Sequence, residues 1–152
     1  MASTISSGTL TVKVTESVSL NGTDYGATNT ETIAAIDEII QRIVTIPPQE
    51  LVTLFEFGAT IGPGKVVYAD AQYLRITNKD DTNPIHINLG TAATNQWVST
   101  TAGQSYFSSL AGSQGVASGT VAGPALADIT AVTIYNPHLT QSVDIEAYLA
   151  LT

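Results

Sequence analysis

Apolar and polar residues alternate along most of this chain. In GTLTVKVTESVSLNG, Leu10, Val12 and Val14 fall on one face of an extended strand, and Thr11, Lys13 and Thr15 on the other. The run closes on Asn21-Gly22, a dipeptide suited to the two positive φ angles of a tight hairpin turn. A short return strand is expected around Tyr25. The period then changes. In NTETIAAIDEIIQRIV, Ile33, Ile36, Ile40 and Ile43 are spaced three, four and three apart, which draws an apolar stripe down a helix. Thr30 or Thr32 could cap its start, and Pro47-Pro48 forbids its continuation. The β-branched RIVTI favours dividing this segment into a short helix and a strand from Arg42 to Ile46.

Strand signals recur after the prolines. LVTLFEF (51–57), YLRITN (73–78), IHINLG (85–90), NQWVST and SYFSSL around a turn at Ala102-Gly103, DITAVTIYN (128–136) and VDIEAYLAL (143–151) all read as extended. GATIGPGK reads as a loop, and the Gly/Ser/Ala-rich stretch from Ala111 to Ala125 as a flexible one. Eight or nine short strands with closely spaced turns predict an all-β fold, an antiparallel β-sandwich of jelly-roll or immunoglobulin type with one short helix. Residues 1–48 are expected to supply an N-terminal arm, a hairpin and the helix, packed on a sandwich of residues 49–152 within one domain.

Composition narrows the function classes. Thirteen acidic against five basic residues give a formal net charge of −8. Lys13, Arg42, Lys65, Arg75 and Lys79 are scattered singly, so no basic patch can neutralise phosphates, and neither nucleic acid nor anionic membrane is expected as a partner. The absence of cysteine excludes disulfides, thiol catalysis and cysteine-bound zinc. The opening MASTISSGTLTVKV lacks the basic and apolar regions of a secretory leader, and NGT at Asn21 reads as a turn rather than a glycosylation acceptor. Charged residues are only 12% of the chain, and its polarity comes largely from hydroxyl and amide groups. Such a surface is readily covered by another protein, because little charge must be desolvated.

The densest cluster of chemical groups is YLRITNKDDTNPIHINLG, Tyr73 to Gly90. It reads as a hairpin with one wet face, Arg75 across from His86, and a turn rich in the Asn and Asp that bond nearby backbone amides. Asn78, Asp80 and Asn83 could offer oxygen ligands to calcium, but the glycine hinge and terminal glutamate of an EF-hand are missing. His86 and His138 have no third ligand at metal spacing, and no Gly-x-Ser-x-Gly elbow accompanies the serines. Glu56, Asp70, Asp128, Asp144 and Glu146 offer carboxylates for glycoside hydrolysis only as any acidic chain does. GPGK is too short for a phosphate loop. Trp97, Phe107 and the tyrosines could line a carbohydrate groove or fill a core. No catalytic, cofactor-binding or metal-binding residue is therefore assigned, no cofactor is expected, and the chain is not expected to be an enzyme.

The series LTVKVTESVSLNGTDYG, IDEIIQRIVTIP, YLRITNKDDTNPIHINLG and VDIEAYLALT resembles small virion proteins of tailed bacteriophages, especially those of marine and cyanobacterial hosts. The resemblance covers nearly the whole chain and is most specific at YLRITNKDDTN and ESVSLNG. It implies an all-β particle component without catalytic residues. The pattern departs after Trp97: TTAGQSYFSSL stands where relatives carry a charged turn, and a Gly/Ser-rich stretch follows. These departures put any shared partner surface in doubt, since loops carry such contacts.

The resemblance implies a capsid decoration or cement protein on the outer surface of the virion. It would be homo-oligomeric and bound to the major capsid protein or other virion proteins. The expected contact regions are the arm from Ala2 to Ser7, the hairpin, the loop around Asp80-Asp81 and the loop from Gly112 to Gly123. The arm is too polar to fold alone and could order on contact. The alternative is a head-fibre, neck or tail appendage that binds a host-surface glycan. A cell-encoded carbohydrate-binding module and a hydrolase are more distant readings.

Overall fold

A computed structural model describes residues 6–91, 95–110, 114–120 and 123–152, and every regular element among them is a β-strand. The chain divides into two compact units, one up to Glu38 and one from Ile39 to Leu151. In the first unit, β1 (Gly8–Glu16) pairs antiparallel with β4 (Ala27–Ile36), and β2 (Ser19–Leu20) pairs with β3 (Thr23–Asp24). Together they make a two-stranded ribbon. Its turn residues Asn21 and Gly22 have φ of 52° and 79°, both positive as a primed two-residue turn requires. Gly26 is obligatory where β3 passes into β4. A Cβ there would lie 2.7 Å from the backbone oxygen of Glu16.

The expected helix does not form. Its residues are strands β4 and β5 (Glu38–Ile46). The three-residue spacing that imitated a helix has a β explanation. Leu10 pairs with Ile33 and Gly8 with Ile36, so β4 carries one extra residue in this interval. Ala35 takes up that bulge with φ 60°, which returns Ile33 and Ile36 to one face. On β5, Ile40 and Val44 pack against the core while Ile43 is exposed, so Ile43 leaves the predicted stripe altogether.

The second unit contains two sheets. One has the order β11-β8-β14-β5, built from β8 (Ala71–Asn78), β11 (Ser105–Ser109), β14 (Val143–Leu151) and β5. The other has the order β10-β9-β13-β6-β7, from β6 (Leu51–Gly58), β7 (Lys65–Val67), β9 (Ile85–Thr91), β10 (Asn95–Thr100) and β13 (Gly123–Tyr135). The pairs β11-β8, β8-β14, β10-β9, β9-β13 and β13-β6 are antiparallel, and β6 with β7 is parallel. β12 (Gln114–Thr120) pairs with the first half of β13, so part of the stretch read as a flexible loop is a strand. Residues 111–113 and 121–122 of that stretch lie outside the described residues.

One apolar core draws on both sheets, including Leu74, Ile76, Ile145 and Leu149 from the first and Phe55, Ile87, Val132 and Ile134 from the second. The alternation seen in the sequence therefore has a buried half in each strand. A bulge between β6 and β13 gives β6 one extra residue, which places Leu54 and Phe55, consecutive in sequence, both out of solvent. The Leu54 carbonyl accepts a hydrogen bond from the Arg42 guanidinium, which also lies 4.9 Å from the centre of the Phe55 ring.

Tyr73–Gly90 is not a hairpin. β8 pairs with β11 and β14, whereas β9 pairs with β10 and β13, so the NKDDTNP segment carries the chain from one sheet to the other. The same holds at Ala102-Gly103, between β10 and β11.

Candidate interaction surfaces

The polar segment between β8 and β9 is built to hold a crossing. Asn78 is fully buried and donates from Nδ2 to the Asn83 carbonyl at 2.8 Å and more weakly to that of Thr100 at 3.4 Å. Its Oδ1 accepts the Asp80 amide at 3.0 Å, and Asp80 Oδ1 accepts the amides of Asn83 at 2.6 Å and Thr82 at 2.8 Å. These bonds to the charged form, first from Asn83 and then from Thr82, hold the Asp80 carboxyl below its usual range. Two of the oxygens considered for calcium, Asn78 Oδ1 and Asp80 Oδ1, are thus turned onto the chain's own backbone. Among the described residues, no three His, Asp or Glu side chains are placed to hold a metal.

A second polar plug sits at Asn136, also fully buried. Its Nδ2 donates to the carbonyls of Ile46 at 3.0 Å and Gln141 at 2.8 Å, and its Oδ1 accepts the His138 amide at 2.9 Å. His138 Nδ1 accepts the Gln141 amide at 2.9 Å and the Thr140 amide at 3.2 Å, so this ring closes a loop. Arg75 and His86 do not meet. His86 pairs with Ser99 and Tyr135 on the larger sheet, and its ring lies 6.0 Å from that of Tyr135. Arg75 sits between Phe107 and Tyr148 on the smaller sheet and bonds Glu146 at 3.1 Å. The carboxylates take separate partners: Glu56 faces Lys65 at 3.9 Å, and Asp144 accepts from Thr45 at 2.6 Å.

Three surfaces are candidates for contact. The ribbon is the first. The threonine face is exposed, while Leu10, Val12, Val14 and Ile33 on the other face are half-buried; Leu20 at 60% and Tyr25 at 62% are exposed near the tip beside Val18. One face aligns Thr11 with Thr32, Lys13 with Thr30 and Thr15 with Thr28; the other aligns Leu10 with Ile33, Val12 with Glu31 and Val14 with Asn29. Threonine fits a wet strand face, since it is β-branched and carries a hydroxyl. The expected arm contributes only Ser6 and Ser7 to the described residues, both exposed and outside any strand.

The second surface is the outer face of the smaller sheet, where Phe107, Arg75 and Tyr148 form a row. The guanidinium lies 5.6 Å from the Tyr148 ring centre, and Phe107 is 50% exposed. Glu146 also accepts from Gln41 at 2.6 Å.

The third is the outer face of the larger sheet, where register places Trp97 opposite Asn88, Asn88 opposite Thr133, and Thr133 opposite Thr53. Trp97 is 48% exposed, whereas Asn88 and Thr133 are 6% and 8% exposed. Trp97 stands out in the sequence as an aromatic, but Asn88 and Thr133 belong to no motif that would join them to it. The row's signal was Asn88 itself, an amide in mid-strand within INL, where asparagine is uncommon. The chain matches no protein-family model, no curated protein and no solved structure.

Proposed function

We propose that the two sheets close into a jelly-roll sandwich, and that the protein is a non-enzymatic virion component of a tailed bacteriophage. In this reading it is a decoration or cement protein on the outside of the capsid shell. The strand orders support the fold. Successive strands β5 and β6, β8 and β9, β10 and β11, and β13 and β14 each fall in different sheets, as winding a paired ribbon into two layers requires. Jelly rolls recur in viral capsid and lectin domains, an association of fold rather than of site.

The observation that carries the role is the ribbon. A two-stranded hairpin is marginal in water by itself, yet this one extends from Gly8 to Ile36 with its threonine face exposed and its apolar face only half-buried at Leu10, Val12, Val14 and Ile33. Among the described residues neither β1 nor β4 has a second strand neighbour, so both offer an edge for augmentation. Apolar Val18, Leu20 and Tyr25, close in sequence to Glu16, Asp24 and Glu31, suit a groove with apolar walls and a basic rim on a shell protein. Copies repeated over a shell would strengthen a modest site by multivalency.

The exposed aromatics are dispersed, whereas an appendage built for glycan recognition would gather several of them in one groove. Phe55, Phe57 and Tyr73 are buried, while Tyr25, Trp97 and Phe107 occupy the ribbon and the outer faces of two different sheets rather than one groove. Immunogold labelling of particles of the source virus tests the role. Gold spread over heads is expected. Gold confined to one vertex, fibres or tails would assign an appendage, and unlabelled particles would reject a virion role.

A further inference from the structure

We infer that the outer face of the larger sheet carries a binding site for a neutral pyranose, with Trp97 as its stacking platform and Asn88 and Thr133 as its hydrogen-bonding floor. Two independent observations converge there. The first is unspent polarity. Among the described residues, Asn88 Oδ1 and Thr133 Oγ1 are buried side-chain atoms without a hydrogen-bond partner. Such atoms are uncommon in folded proteins and costly. These two belong to residues directly opposite each other, on the same face of neighbouring strands. They offer an acceptor and a hydroxyl able to donate or accept, which a sugar hydroxyl pair can match.

The second observation is the ring beside them. Trp97 is the cross-strand neighbour of Asn88 and keeps about half its surface exposed on β10, the edge strand of the sheet. A half-exposed indole next to a few convergent polar groups is the composition of a small-ligand site. Sugars suit it because the C–H groups of a pyranose pack on an aromatic ring while its hydroxyls point away.

The neighbours fit the same purpose. Asn88 Nδ2 is held at 3.0 Å by Asn95 Oδ1, which fixes the amide with Oδ1 left over. The β6 bulge opposes the interval from Val132 to Thr133, a distortion that often re-aims side chains beside functional sites. Both unpartnered atoms are sealed from solvent in this state, so a sugar reaches them only after a side chain on this face turns aside. The row from Trp97 to Thr53 crosses four strands, on the order of 14 Å, enough for a di- or trisaccharide.

Charge selects the class of sugar. Lys65 belongs to the same sheet, and it faces Glu56 at 3.9 Å. No arginine or lysine lies in the row itself, and the chain is acidic overall, so a sialylated, uronic or phosphorylated sugar is disfavoured. The inference is independent of the decoration role, since a shell protein and an appendage alike can carry such a site.

Trp97 is the one tryptophan of the chain, so its emission reports on this face alone. The full-length protein is titrated with methyl glucoside, galactoside and mannoside, with their neutral oligosaccharides, and with sialyllactose. A saturable shift with at least one neutral sugar, and none with sialyllactose, is expected. Thr133→Val should weaken that response at least tenfold without lowering the melting temperature, because it removes an unpartnered hydroxyl at nearly constant volume. Trp97→Phe, followed by calorimetry, gives a second reading should the valine variant fold poorly, and it too should bind at least tenfold more weakly. No saturable response to any neutral sugar would overturn the inference. So would full affinity in the folded Thr133→Val or Trp97→Phe protein. Neither result would touch the virion role, which the gold labelling decides separately.

Discussion

The ribbon of β1 to β4 and the paired sheets of residues 39–151 are written with the same alternation, yet they use it differently. In the sheets, each strand's apolar half enters a shared core: Ile76, Ile87, Ile134 and Ile145 are all fully buried. In the ribbon, the corresponding positions Leu10, Val12 and Val14 reach only half burial, and the opposite face is lined with threonine. Alternation therefore specifies an extended backbone and two unlike faces. It does not specify that a second layer covers either face. Where a layer is present the strand gains several kilocalories per large side chain, and where it is absent the strand depends on turn chemistry and cross-strand pairs.

The largest expected contrast follows directly. Ile87→Ala should cost about 4 kcal/mol in chemical denaturation, while Val12→Ala should cost roughly 1 kcal/mol or less. Equal losses would mean that the ribbon carries a core of its own. Next come the polar plugs, which belong only to the sheets. Asn136→Ala orphans two carbonyls and an amide, and about 2 kcal/mol should be lost in the same assay. An unchanged midpoint would show that solvent can replace these bonds.

Smaller still is the bulge in the ribbon. Ala35 holds a left-handed φ that glycine adopts without strain, so Ala35→Gly should be neutral or stabilising by up to about 1 kcal/mol, even though glycine elsewhere in a strand weakens it. A clear loss would reject that reading of the bulge.

The smallest effect is electrostatic. Asp80 has its carboxyl held below the usual range in the folded state, so its contribution is present above the unfolded value and fades as pH falls through the lower folded one. Asp80→Asn should lower the melting temperature slightly at neutral pH, and the gap to wild type should close in acid. A gap that is constant with pH would assign the effect to turn geometry rather than to charge.

These contrasts also explain what could be read from the sequence. Strand positions were legible wherever alternation was regular, as at Leu74 and Ile76 or Ile85 and Ile87. Pairing was not. Asn78, Asp80 and Asn83 announce a change of direction, but the same bonds from Asp80 to the Thr82 and Asn83 amides serve a hairpin or a crossing between layers equally well. What decides is whether Ile76 and Ile87 lie side by side or face each other across a core, and that is a long-range matter. The false helix had a local cause, since one bulged residue at Ala35 turned a period of two into a spacing of three. The candidate site was least legible. Asn88 and Thr133 lie far apart in the chain, and only register brings them together.

The crossings between sheets also govern how the molecule comes into being. The side chains of Gln41 and Glu146, on neighbouring strands of one sheet, are 105 positions apart in the chain. The smaller sheet cannot close until β14 has left the ribosome, whereas the ribbon is complete once Ile36 has emerged. Loop closure on that scale makes folding slow relative to domains with local pairing. Until β14 arrives, β5 has no partner in its sheet and β8 has only β11, the period in which newly made copies are most prone to join one another wrongly.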